Sequence, residues 1–179
     1  VLAGKTGKTG GAAIGFAGGI SGASSAFVSG SDTSTAYTAV LAKDSNVNVE
    51  LSDTIEDSTD IAALNIVDTG GGSGGNTTGT TGTVTATVST TASLATSIAT
   101  VNANTTVKIN SGALDLDQYN TLNDTTSNTV NLTPAGSSAT ITDSLSDFGS
   151  KSTILDDVLA DTDAKIVVSG SAISSSTDL

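Results

Sequence analysis

The chain has 179 residues, a net charge of −12 and no Cys, Met, His or Trp. That excludes chemistry that needs an imidazole or a thiol, and with it zinc, haem and iron–sulfur sites built on those ligands. All six basic residues are Lys, the acids are Asp apart from Glu50 and Glu56, and so acidic a surface repels a phosphate backbone, which argues against nucleic acid as a partner.

Ser and Thr make up roughly a third of the chain, charged residues only 13%, and aromatics 3%. Average soluble domains are about a quarter charged, so this composition is biased, and bias of this kind points to repetition. The start at Val1 without a Met is read as processing, truncation or membership of a longer polypeptide. The lack of Cys fits an exterior location, although it fits cytoplasm equally.

In chain order, Gly4-Lys5-Thr6-Gly7-Lys8-Thr9 looks like part of a phosphate-binding loop. The full pattern needs a Gly at position 2, where Leu2 stands, and a strand before it. The stretch from Gly10 to Gly30 carries no charge, and Gly11, Gly15 and Gly19 are spaced four apart. Only Ile14, Phe16, Ile20, Phe27 and Val28 supply large apolar groups there, so a Gly-rich loop or a packed layer of small residues is favoured over a membrane span. Residues 1–37 are read as a degenerate half-unit.

Three later segments align: Val47-Asn48-Val49-Glu50-Leu51, Thr106-Val107-Lys108-Ile109-Asn110 and Lys165-Ile166-Val167-Val168-Ser169. Equating Val49, Val107 and Ile166 gives a period of about 58 residues, and Val84, Val88, Ile141 and Leu145 fall in the same register. The reading divides the chain into units at 38–105, 106–164 and 165–179, with a Gly-rich insertion at 70–82 taken as a flexible loop. Gly71-Gly72-Ser73-Gly74-Gly75 within it matches a nucleophile elbow as a string, but no His exists to take the Ser proton.

Within one unit, alternation predicts a strand at 107–110, helical or turn-like spacing over Leu114, Leu116, Tyr119 and Leu122, and short strands at 130–132 and 140–142 around a turn at Pro134. A short amphipathic helix with an acidic first turn is expected from Ser152, with Ile154, Leu155, Val158 and Leu159 on one face. The expected fold class is therefore mainly β with short helical turns, in an elongated, solenoid-like architecture of about 58-residue units.

The acidic clusters that could hold a cation are Asp115 with Asp117, Asp156 with Asp157, and Asp161 with Asp163. Ca²⁺ wants several hard oxygens. The candidates are Asp115, Asp117, Asp161 and Asp163, placed between units; helix-terminal charge and turn formation are the competing roles. No other cofactor and no catalytic residue is expected. Paired carboxylates can hydrolyse glycosides without His, but normally among aromatic platforms that two Tyr and three Phe do not build. Triplets of the N-x-[ST] kind at Asn76, Asn104, Asn123 and Asn131 are as frequent as chance allows in so Ser/Thr-rich a chain.

The cycle Val107-Lys108-Ile109-Asn110-Ser111-Gly112-Ala113-Leu114, Tyr119-Asn120-Thr121-Leu122, Thr129-Val130-Asn131-Leu132 and Ala139-Thr140-Ile141-Thr142-Asp143 resembles the Thr/Ala/Asp-rich tandem repeat of very large cyanobacterial cell-surface proteins. The likeness covers 38–179 and departs at Asn123-Asp124-Thr125, where an Asp-Gly turn is expected, and at the 70–82 insertion. It implies a secreted, non-catalytic, structural or adhesive protein of a surface fibre or layer. Its partners would be its own neighbouring repeats, other copies of itself, cell-surface glycans or other surface proteins, with no nucleic acid and no membrane span. Similar repeats in phage virion proteins make a tail fibre or capsid appendage the alternative, and a calcium-dependent adhesin the next.

Overall fold

The computed structural model describes residues 16–71, 79–98, 103–125, 130–132, 138–160 and 164–170. Strand β1 (Ile20–Gly22) leads into the one-turn helix α1 (Ser24–Phe27), the hairpin β2 (Val28–Ser29) and β3 (Asp32–Thr33), and α2 (Thr35–Leu41). Then come β4 (Val49–Ile55), α3 (Ser58–Thr69), β5 (Val84–Thr91), α4 (Ala92–Ala95), β6 (Ala103–Ser111), β7 (Ala113–Leu114) and α5 (Leu116–Thr125). The remainder is β8 (Val130–Asn131), β9 (Thr140–Ser144), α6 (Leu145–Ser150), α7 (Ser152–Leu159) and β10 (Ile166–Ser169).

Two parallel sheets carry the fold. The larger has five strands in the order β1-β4-β5-β6-β8, and the smaller three in the order β10-β9-β7. Apolar residues stack in register across them: Ile20, Val49 and Val84 in one column, Ile55, Val88, Val107 and Val130 in another, and Leu114, Ile141 and Ile166 in a third.

Five of the described helices start just after strands, on hydroxyl or carboxylate caps. Ser34 Oγ accepts from the Tyr37 N–H, Thr91 Oγ1 from Leu94 and Ser144 Oγ from Asp147, each capping the first turn of the next helix. Asp57 and Asp60 form a reciprocal capping box on α3. Asp115 and Gln118 do the same for α5, with Gln118 N–H donating to Asp115 Oδ1 at 2.7 Å and Asp115 N–H to Gln118 Oε1 at 3.0 Å. Ser34, Thr91 and Ser144 thus put hydroxyls of this Ser- and Thr-rich chain to use at strand-to-helix junctions.

One core joins the layers. Ile61, Leu64 and Val67 of α3 and Phe27 and Tyr37 from the N-terminal helices pack with the inward residues of β4, β5 and β6, including Leu51, Val88 and Ile109. The same cluster continues through Leu116, Tyr119 and Phe148 to Val158. The Phe27 and Tyr37 rings meet edge to face at 5.3 Å and 81°. Each such buried side chain contributes about 1.5–3 kcal/mol.

This architecture corrects the sequence expectation. The protein is α/β, not a mainly β elongated solenoid, and the 58-residue period does not organise it. Val49 lies opposite Val84, which the register had placed later in the same unit; Val107 lies between Val88 and Val130; Ile166 belongs to the other sheet, opposite Ile141. Partners are separated by 35 residues from Val49 to Val84 but 19 from Val88 to Val107, because the connecting helices differ in length. The 12-residue α3 is not expected from the surrounding Thr and Val, which suggest strand, but the Asp57 cap and the spacing of Ile61, Leu64 and Val67 favour helix.

Two smaller expectations also change. The helix from Ser152 exists, but its first turn carries no acid, and Asp156 and Asp157 lie in its second half. The described ends of the 70–82 stretch are packed against backbone: a Cβ on Gly79 would sit 2.2 Å from the Asp68 carbonyl oxygen, and one on Gly82 2.5 Å from that of Val47. Glycine is required there for close approach rather than for looseness. Residues 72–78, with Ser73 and Asn76, lie outside the described residues, as does the 4–9 segment.

Candidate functional site

Asp115 and Asp117, the two cation candidates within the described residues, both have structural roles. Asp115 caps α5, and Asp117 pairs with Lys151 Nζ at 2.9 Å. Asp161 and Asp163 lie outside the described residues. Lys151 also faces Asp147 at 3.7 Å, tying α5 to α6. Asp143, on β9, accepts from the Leu116 N–H at 3.2 Å. Among the described residues, no three acidic side chains converge in a way that could hold a metal ion.

The electrostatics of this cluster follow from its contacts. The Ser144 hydroxyl, which donates to Asp147, is the main cause holding the Asp147 carboxyl below its ordinary value, helped by Asp143 and Lys151. Lys151 is raised above its ordinary value chiefly by its bond to Asp117. A cavity of about 270 Å³ lies beside the cluster, lined by Ile98, Asp115, Asp117, Gln118 and Leu122 among others, with both carboxylates already engaged.

The buried polar groups elsewhere serve the fold. Tyr37 donates its hydroxyl to the Val67 carbonyl at 2.9 Å, and burial, with Asp68 nearby, pushes its phenol well above the ordinary range. Asp53 accepts from both the N–H and the hydroxyl of Ser24, at 2.9 and 2.7 Å, capping α1 from the neighbouring strand.

Two surface features remain open. The first is the outward face of the larger sheet. Strand β5 alternates buried Val84, Ala86 and Val88 with exposed Thr85 and Thr87, so helices cover one face and leave the other in water. Parallel sheets are normally covered on both faces. The row Ser21, Glu50 and Thr85 runs across β1, β4 and β5 in register. Together with Gly18, Gly19 and Asn48 these three line a cleft of about 330 Å³. Gly19 shapes its wall: φ is +69°, and a Cβ would meet the Asn48 carbonyl oxygen at 2.8 Å.

The second is the corner at β10. Leu159, Ile166, Val167 and Val168 are exposed at 54, 37, 44 and 48%, and they are the large hydrophobics that stand exposed among the described residues. Among the described residues, strand β10 lies at the edge of its sheet and pairs with β9 alone.

Neither feature is marked by a sequence motif. The alternation Val49-Glu50-Leu51 and Val84-Thr85-Ala86 shows that Glu50 and Thr85 face away from the core, but the register that brings them together is tertiary. Among the described residues no helix is long and apolar enough to cross a membrane. Comparison with known proteins gives no match to any family model, curated protein or solved structure.

Proposed function

We propose that the protein is a structural and adhesive component of a cell exterior, acting through assembly and surface contact rather than catalysis. The observation that carries this reading is the β10 corner, where an open sheet edge coincides with the exposed apolar side chains Leu159, Ile166, Val167 and Val168. An open edge presents unpaired backbone donors and acceptors, and soluble proteins normally blunt such edges with charge or proline. Here no charged residue lies within Ile166–Ser169. A strand from a second copy would extend the sheet and cover these side chains. The resemblance to surface repeats supports placing that assembly outside the cell.

The test is sedimentation velocity across a concentration series, with electron microscopy of the concentrated sample. The wild type is expected to associate into ordered multimers, and Val167→Lys to remain monomeric with an unchanged circular dichroism spectrum. A wild type that stays monomeric throughout refutes the assembly reading, and multimers seen only as a symmetric particle appendage move the assignment to a virion.

A further inference from the structure

We infer that the Ser21–Asn48–Glu50–Thr85 cleft is a binding site for an uncharged, hydroxyl-rich polymer, that is, a neutral polysaccharide. This deepens the adhesive part of the proposed function and rests on it.

The cleft presents side chains whose hydrogen-bonding capacity is unused. Ser21, Glu50 and Thr85 are exposed, and none of these side chains makes a hydrogen bond or ion pair among the described residues. Asn48 uses its carbonyl oxygen to accept from the Thr83 N–H at 3.0 Å. Its amide group therefore keeps its two donors for a ligand. The cleft thus offers a carboxylate that accepts, an amide that donates and two hydroxyls that do either. This set matches vicinal hydroxyls, which donate to a carboxylate and accept from an amide.

Charge narrows the ligand class. Among the described residues no basic side chain lines the cleft, and a chain of net charge −12 repels acidic polymers. A single carboxylate falls short of the several hard oxygens that a divalent cation prefers. Thr54, Thr87 and Thr106 form the next described row and Ser89, Lys108 and Asn131 another, so in these rows the charged side chains are Glu50 and Lys108, of opposite sign.

The geometry favours a polymer over a free monosaccharide. The cleft lies at one end of an open sheet whose rows repeat across strands about 4.8 Å apart. Among the described residues no aromatic ring lines it. A single sugar is therefore held by hydrogen bonds in competition with water and binds weakly, whereas an extended chain gains from the adjacent rows.

The experiment is affinity electrophoresis of the protein in native gels containing dextran, galactomannan or hydroxyethyl cellulose, with alginate as the anionic control. Retardation by at least one neutral polymer is expected, with none by alginate. Glu50→Ala should weaken binding about tenfold, and Thr85→Val should weaken it less. Both positions are exposed, so circular dichroism should be unchanged. No retardation by any neutral polymer, stronger retardation by alginate, or equal retardation of both variants and the wild type would each overturn the inference. Val167→Lys should keep full retardation, so loss of assembly and loss of glycan binding are separable failures.

Discussion

Thr105 and Thr90 face the same core from adjacent strands, and replacing each by Val should have opposite effects on stability. Thr105 is 0% exposed, and its Oγ1 makes no hydrogen bond among the described residues. Burying an unpaired hydroxyl costs about 1–3 kcal/mol, and the methyl that replaces it adds roughly 0.8 kcal/mol of apolar burial. Thr105→Val should therefore stabilise the fold by about 2 kcal/mol. Thr90 is 3% exposed, but its hydroxyl donates to the Glu56 carbonyl at 2.7 Å and fastens the β4–α3 junction to β5. Removing that bond, and leaving the carbonyl without it, outweighs the added methyl, for a net loss of ~1 kcal/mol. Urea titrations followed by circular dichroism measure both. With a slope of ~2 kcal/mol per molar, the midpoint should rise by about 1 M for Thr105→Val and fall by ~0.5 M for Thr90→Val. Shifts of the same sign would refute the reasoning, because residue type and burial are matched and only the hydrogen bond differs.

Two further predictions concern the core and the acidic cluster. Ile109 is 0% exposed on the interior strand β6; Ile109→Asp should unfold the protein, at a cost of several kcal/mol against a stability on the order of 5–15 kcal/mol, whereas the exposed neighbour Asn110→Asp should be tolerated. A folded Ile109→Asp variant by circular dichroism would contradict the facing of this strand. The second concerns Asp147, whose carboxyl is held below its ordinary 3.8, first by the Ser144 hydroxyl. A depressed carboxyl contributes stability that is present above its unfolded value and lost as pH falls through the folded value. The start of α6 should thus stay intact down to about pH 3.8 and loosen below it. Ser144→Ala should move the Asp147 titration upward toward 3.8 in a carboxyl-detected NMR titration, and no movement would show that another contact sets it.

The residues themselves determine a good deal. The absence of His and Cys removes whole classes of chemistry, and alternation marks β6, β8 and β9 with their inward residues Val107, Ile109, Val130 and Ile141. These are local properties, set by side-chain type and a period of two. Tertiary structure decided the rest, because it depends on which strands become neighbours. Val49 and Val107 share a sequence pattern but occupy different strand positions, since connections of unequal length carry the chain back to the sheet at unequal intervals. Asp115 and Asp117 read identically as acidic turn residues, yet one caps its own helix and the other reaches Lys151 on a distant segment. Glu50 and Thr85 are 35 positions apart and become neighbours only through parallel pairing of β4 and β5. Hydrogen bonds between strands carry no side-chain signature, so composition can show that a strand forms without showing what lies beside it.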